Sequence, residues 1–284
     1  MTCDDVCFTD LTRREFGAVS LAAGVVGAST PAYAGLAVTE TDVEIKTPDG
    51  TADAVFIHPT TGTHPGVLVW TDIMGLRPAF RDMGRRLAAE GYAVLTPNPF
   101  YRSGKAPPTG MGLDFQNPDA RTKMMALMGG LTAPGAAERD AGAFVAWLDA
   151  QSQVKKSAKL GTTGYCMGGP LIMRTAASQP GRIGAAGSFH GGGLVTDKPE
   201  SPHLMIPKMK SRMLIAIAAD DDAKQLDAKD VLKAAFAANK LTAEVEVYTD
   251  TKHGWCVPGS PVHNPNQADR AYERLLAMFK TALV

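Results

Sequence analysis

The chain has 284 residues, of which 45% are hydrophobic and 20% are charged, and its 29 Lys and Arg balance 29 Asp and Glu. A formal net charge of zero argues against nucleic-acid binding, which requires an excess of basic residues. The apolar content excludes a disordered chain, and four Cys in this length cannot form a disulfide framework. A globular protein with a substantial core remains.

The first 34 residues are typical of a twin-arginine export signal. Arg13-Arg14 is followed by Phe16, by an almost uncharged run of small residues over 17–30, and by Ala32-Tyr33-Ala34. A paired arginine, a short apolar stretch and an Ala-x-Ala cleavage site are the parts of such a signal. The alternative is a buried N-terminal helix, but Gly, Ser and Ala pack poorly. The run is also shorter than the roughly 20 apolar residues of a membrane span.

We therefore expect residues 1–34 to engage the twin-arginine machinery and the mature protein to be periplasmic or otherwise exported, without stable insertion in the membrane. Cleavage after Ala34 would leave 250 residues with 27 basic and 25 acidic side chains. It would also remove Cys3 and Cys7, so that Cys166 and Cys256 are the thiols of the mature chain.

Residues 35–284 are expected to form a single α/β domain, because short β-rich runs alternate with longer amphipathic ones. This pattern predicts a doubly wound, mainly parallel sheet with helices on both faces. An opening hairpin is expected at 43–46 and 54–57, and the apolar run 65–70 is typical of a central strand buried on both faces. Residues 97–135, rich in Pro, Gly and Met, are expected to be an irregular lid or pocket wall. Further strands are predicted at 92–96, 160–164, 183–189, 213–218 and 243–248, and helices at 79–90, 136–151, 167–178, 228–239 and 267–282.

The segment from Gly164 to Gly169 is the most specific motif in the chain. It lies between a predicted strand and a predicted helix and has the Gly-x-nucleophile-x-Gly pattern, with Cys166 in the nucleophile position. The glycines are needed because side chains there would clash with the neighbouring strand and helix, and the helix N-terminus favours a thiolate. The alternative is a glycine-rich turn that contains a buried structural cysteine.

Two later segments support a catalytic interpretation. The apolar run 214–218 leads into Asp220, Asp221 and Asp222 at the carboxyl end of a predicted strand, where the active sites of open α/β sheets lie. His253 follows the next strand, in a His-Gly-Trp sequence. The chain order nucleophile, acid, histidine is that of the α/β-hydrolases. In that order His253 takes or holds the thiol proton, and the acid fixes the tautomer of the imidazole.

At these segments, and at residues 72–76, the sequence resembles the dienelactone hydrolase family of α/β-hydrolases. The resemblance extends over essentially all of residues 40–284, and the cysteine in the elbow is its most discriminating part. It implies that Cys166 is the nucleophile, His253 the base and one of the three acids its partner. We choose Asp221, and Asp222 is the close alternative because a run of three leaves the register open by one.

The resemblance also implies three contacts around the nucleophile. The N–H groups of Met167 and Ile73 would form the oxyanion hole. Asp72 stands where the family keeps an acid, usually Glu, that interacts with the thiol; the alternative is a helix N-cap. Arg102 stands where the family holds the substrate carboxylate, and the alternative is a solvated loop arginine.

Three other observations complete the expected site. Cys256, three residues after His253, is expected to be a packed thiol, although an oxidising compartment could pair it with Cys166. His190, at a predicted strand end, is a candidate pocket residue. No spacing typical of metal ligands, a phosphate loop or a dinucleotide site occurs, so no metal or cofactor is expected.

The residues together predict a hydrolase that opens a dienelactone-type lactone or cleaves a small carboxylic ester, with a small molecule as its partner. One alternative is a general carboxylesterase that uses the same residues. Another, from a different class, is a degenerate hydrolase fold retained for binding or for redox sensing through its two thiols.

Overall fold

A computed structural model of the chain describes residues 35–107 and 117–284. The predicted export signal at residues 1–34 lies outside the described residues. Eight strands form one sheet in the order β1-β2-β4-β3-β5-β6-β7-β8, in which β1 and β2 are antiparallel neighbours, β2 and β4 are antiparallel, and all other pairs are parallel. The strands are β1 Val38–Thr47, β2 Gly50–Pro59, β3 Gly66–Trp70, β4 Ala93–Pro97, β5 Leu160–Tyr165, β6 Ile183–Phe189, β7 Arg212–Ala218 and β8 Ala243–Tyr248.

Helices cover both faces of this sheet, which confirms the predicted α/β class. They are α1 Pro78–Ala89, α2 Pro118–Thr132, α3 Ala136–Ala150, α4 Gly168–Ser178, α5 Ala219–Lys224, α6 Ala228–Ala238 and α7 Pro265–Ala282, with a 3-10 helix at Pro202–Lys208. In the part of the chain that the structure describes, none of these helices is both long enough and apolar enough to cross a membrane.

The prediction of an irregular segment over 97–135 was wrong for α2. The Asn117 side chain accepts hydrogen bonds from the N–H groups of Asp119 and Ala120, at 2.9 and 3.3 Å, and Pro118 occupies the first turn. A capping Asn followed by Pro is a helix start signal, and it outweighs the two glycines near the end of the segment. The prediction also missed α5, which places the three acids in a helical turn directly after β7.

Alternating side chains divide the core into two layers, one on each face of the sheet. Leu68 and Trp70 of β3 belong to the cluster that packs under α3 and α4, whereas Val67 and Val69 belong to the cluster under α1 and α7. Every residue of β3 is buried, as the continuous apolar run predicted. The buried Trp70 indole donates a hydrogen bond of 3.0 Å to the Thr175 hydroxyl of α4.

The parallel strands end together at one edge of the sheet, and this edge positions the site. Neighbouring strand ends are in register at Trp70 and Gly164, at Tyr165 and Phe189, and at Ala218 and Tyr248. The loops that follow β3, β5, β6, β7 and β8 therefore meet at this edge, which is where open α/β sheets place their active sites.

Candidate active site

The elbow after β5 holds Cys166 in a strained backbone conformation. Its φ of +53° lies in the left-handed region, which non-glycine residues rarely adopt. A Cβ at Gly164 would meet the Gly168 carbonyl oxygen at 2.2 Å, and a Cβ at Gly168 would meet the Trp70 carbonyl oxygen at 2.5 Å. Only glycine fits at both places, and the tight turn directs the Cys166 side chain toward the edge where the loops meet.

His253 contacts two of the three acids that follow β7 at this edge. The Asp221 carboxylate lies 2.7 Å from His253 Nδ1, and the Asp220 carboxylate accepts a hydrogen bond of 2.8 Å from the His253 backbone N–H. Asp222 instead accepts a hydrogen bond of 2.7 Å from Lys229 Nζ. Of the three acids, Asp221 is therefore the one that contacts the imidazole, whereas Asp220 binds the backbone of the same residue.

Contacts on both sides of the imidazole favour its charged form. A hydrogen bond with Asp221 and, to a smaller extent, one with Cys166 raise the pKa of His253 to about 10, although burial acts in the opposite direction. Partial burial works against ionisation of Asp221, but the hydrogen bonds from His253 and Lys224 outweigh it and lower the pKa of Asp221 below its ordinary value. The Asp221 carboxylate therefore contacts the His253 imidazolium, which in turn contacts the Cys166 sulfur. This arrangement activates a thiol for attack.

The two residues expected to form the oxyanion hole come from the elbow and from the loop after β3. Met167 follows Cys166 directly and precedes α4, whose N-terminus carries partial positive charge. Ile73, in the loop after β3, packs against the same core cluster as Cys166. Within the described part of the chain, neither of these N–H groups donates a hydrogen bond to another protein atom. Both donors are therefore available to a ligand.

Asp72 is paired with Arg77 in this structure. The two side chains form a bidentate ion pair at 2.6 and 2.8 Å, and Asp72 also accepts a hydrogen bond of 2.9 Å from the Met74 N–H. No hydrogen bond joins Asp72 to Cys166 among the described residues. The alternative of a helix N-cap is wrong, because the N-cap of α1 is Arg77. No local sequence pattern points to Arg77 as the partner of Asp72.

Arg102 is held by two carboxylates rather than solvated. It donates two hydrogen bonds of 2.8 Å to the fully buried Asp140 and two to Asp49, at 2.6 and 3.3 Å. The alternative of a solvated loop arginine is therefore wrong. The expected role in holding a substrate carboxylate stays a prediction, and the guanidinium already carries two acidic partners.

The two thiols of the described chain lie against different core layers. Cys256 is buried in the cluster under α1 and α7, and burial raises its pKa well above the usual 9.0. Cys166 packs at the edge of the other cluster. Cys256 is thus the packed thiol that the sequence predicted.

His190 adjoins His253, with ring centroids 5.1 Å apart. Within residues 35–107 and 117–284, no group of three or more His, Cys, Asp or Glu side chains is arranged to hold a metal ion.

A mainly parallel sheet with a strained elbow after β5, and with an acid and a histidine after later strands, defines the class of α/β-hydrolases. Within that class, the sequence profile of the dienelactone hydrolase family matches residues 52–283, so the chain belongs to this family and is a hydrolase.

Three relatives illustrate the range of proteins to which the chain is similar. The carboxymethylenebutenolidase of Pseudomonas putida is 26% identical over 235 residues, which span 82% of this chain and 93% of that protein. The dienelactone hydrolase of Anabaena variabilis has the same fold, with a TM-score of 0.62 and 16% identity over 87% of this chain and 99% of that one. A dienelactone hydrolase-like promiscuous phosphotriesterase from metagenomic libraries has a TM-score of 0.71 and 22% identity over 87% of this chain and 100% of that one.

Proposed function

We propose that the protein hydrolyses a lactone or a small carboxylic ester through a triad of Cys166, His253 and Asp221. The observation that carries the proposal is the position of His253, which interacts with Cys166 on one side and with Asp221 on the other. The family membership gives hydrolysis as the reaction class, and the contacts of His253 support the assignment of a nucleophile, a base and an acid that orients the base.

The reaction follows from these positions. The Cys166 thiolate attacks the carbonyl carbon, and the N–H groups of Met167 and Ile73 hold the oxyanion that forms. Collapse of this intermediate breaks the carbon–oxygen bond of the ester, and the leaving oxygen takes the proton from His253, which becomes neutral. Neutral His253 then deprotonates a water molecule that hydrolyses the thioester, which releases the carboxylic acid and restores the Cys166 thiolate and the His253 imidazolium.

Activated substrates suit this nucleophile best. A stabilised enol or enolate leaves with little protonation, so a thiol ester forms readily from an enol lactone or an aryl ester. The family resemblance implies that an arginine at the position of Arg102 binds the carboxylate of the lactone substrate. Here that side chain is paired with Asp140 and Asp49, which favours a second candidate function, a general carboxylesterase without preference for a carboxylated substrate.

The experiment is a substrate panel that contains a carboxylated dienelactone, its uncharged methyl ester and neutral aryl esters. Cys166→Ala should abolish turnover of every substrate, whereas Cys256→Ala, the matched control on the other thiol, should retain it. A preference for the carboxylated lactone of tenfold or more supports the lactonase, and equal rates support the carboxylesterase. Unchanged hydrolysis by Cys166→Ala would contradict the proposed triad.

We also propose that the protein works outside the cytoplasm. The support is the signal-like sequence at residues 1–34, with Arg13-Arg14 and Ala32-Tyr33-Ala34. Fractionation of cells that express the full chain should recover the protein, shortened by about 34 residues, in the periplasm. Replacing both arginines with lysine should retain the full-length chain in the cytoplasm. Unaltered export of that variant would contradict the proposal.

A further inference from the structure

The proposed reaction leaves one buried titratable side chain beside the triad without a role. His190 directly follows β6 and is 1% exposed. Its backbone N–H donates a hydrogen bond of 2.8 Å to the Ala216 carbonyl oxygen. Its φ of +42° lies in the left-handed region, which His adopts more readily than most side chains. Strain of this kind persists only where the surrounding structure imposes it.

Close glycine packing imposes this position. A Cβ at Gly169 would meet the Gly191 Cα at 2.5 Å, and a Cβ at Gly191 would meet the Ser188 hydroxyl at 2.4 Å. The backbone after β6 therefore rests directly on the first turn of α4, next to the elbow that carries Cys166. The contact fixes the His190 ring relative to the nucleophile.

The His190 ring lies among three other rings. Its centroid is 5.1 Å from that of His253, at an interplanar angle of 68°, and it is 6.1 Å from Tyr165 and 6.4 Å from Trp255. Neither ring nitrogen has a hydrogen-bond partner among the described residues. The ring therefore contributes contacts of its aromatic surface to its neighbours rather than hydrogen bonds.

The charges around the two imidazoles give them opposite protonation states. Burial, followed by the positive charge of His253, lowers the pKa of His190 to about 3, although Asp221 acts in the other direction. The charged or titratable groups that face His253 are Cys166 from the elbow, Asp220 and Asp221 from α5, and His190 itself. The face of an aromatic ring attracts a cation within about 6 Å of its centroid by roughly 0.5–2 kcal/mol, and the His190 and His253 rings are T-shaped with centroids 5.1 Å apart.

We propose that His190 is a positioning residue whose neutral ring packs against the His253 imidazolium and holds it between Asp221 and Cys166. The proposal rests on the proposed function, because it assumes that His253 is the base of the triad. The ring of His190 packs with three other rings, and histidine tolerates the left-handed backbone more readily than most residues.

Two substitutions separate the ring of His190 from its nitrogens. His190→Phe keeps a neutral ring, whereas His190→Asn keeps polar nitrogen, tolerates the left-handed backbone and has no ring. The readouts are kcat/KM for a neutral aryl ester and the titration of His253, followed by NMR of ¹³C-labelled histidine. For His190→Asn we expect a fall in kcat/KM of about tenfold, with KM unchanged, and a downward shift of the His253 midpoint of about one pH unit.

His190→Phe should stay within about threefold of the parent kcat/KM and keep the His253 midpoint in place. An equal loss in both variants would overturn the proposal, since the nitrogens would then carry the role. An unmoved His253 midpoint in His190→Asn would overturn it as well.

A measurement on the unaltered protein keeps the test independent of variant folding. The His190 resonances should show a neutral ring from pH 8 to pH 5 while those of His253 show a cation, and titration of His190 near pH 6.5 would overturn the proposal. Because these spectra are recorded without substrate, an inactive substrate panel with the expected spectra would contradict the proposed function alone.

Discussion

The burial of His190 predicts a loss of stability in mild acid that a single substitution removes. The ordinary pKa of histidine, 6.5, applies to the unfolded chain, whereas burial and the charge of His253 lower the folded value to about 3. Between these values the unfolded state binds a proton that the folded state does not. The free energy of unfolding therefore falls as pH falls, by about 1.4 kcal/mol per pH unit. At pH 4.5 the loss amounts to about 3 kcal/mol.

The other groups of the site contribute little within this window. The pKa of His253 is raised to about 10, so its stabilisation is fully present below pH 6.5 and is lost only as pH rises toward 10. The pKa of Asp221 is lowered from 3.8, so its stabilisation is present above that value and is lost only as pH falls further. The interval from pH 6.5 to 4.5 therefore reports on His190.

The assay is urea unfolding of the wild type and His190→Phe at pH 7.5 and pH 4.5. The slope of the unfolding free energy against urea concentration should be the same in all four experiments. The wild type should lose about 3 kcal/mol more than the variant on going to pH 4.5, because phenylalanine binds no proton in either state. Equal losses in the two proteins would refute the reasoning, since some other group would then be responsible for the acid sensitivity.

Three further predictions follow from the contacts around the site. Asp221→Asn should lower kcat for aryl esters by about 10³ to 10⁴-fold, whereas Asp222→Asn should change it by less than about threefold, and steady-state kinetics distinguish the two acids. Gly164→Ala should give no folded enzyme, judged by circular dichroism, because a Cβ there would lie 2.2 Å from a backbone oxygen; a folded, active variant would contradict the elbow geometry. Arg102→Gln should destabilise the protein by about 3 kcal/mol in urea unfolding, because Asp140 is then buried without its ion pair, and it should leave kcat for neutral aryl esters unchanged.

Local signals were sufficient to predict the strands and part of the candidate site. The continuous apolar run of β3 and the glycine spacing around Cys166 depend on neighbouring residues only, and the structure shows why each glycine is needed. The position of His253 after β8 followed from the rule that parallel strands present their carboxyl ends at one edge.

What could not be predicted depends on contacts between distant segments. Arg102 is held by Asp140, 38 residues later, and by Asp49, 53 residues earlier, and no local pattern indicates either pair. The α2 helix is a different case, because its Asn-Pro start is a local signal that the Pro and Gly content of 97–135 obscures. His190 was only a candidate pocket residue, since its left-handed backbone and its ring contacts arise from the packing of the loop after β6 on α4.

The most direct test of the proposed mechanism is to trap the thioester. The wild type is mixed with an aryl ester, quenched in acid during turnover, digested and examined by mass spectrometry, with Cys166→Ala as the control. The acyl group should be found on the peptide that contains Cys166 and be absent from the peptide that contains Cys256. Turnover of the same ester by Cys166→Ala at the wild-type rate, or an acyl group on another residue alone, would contradict the account.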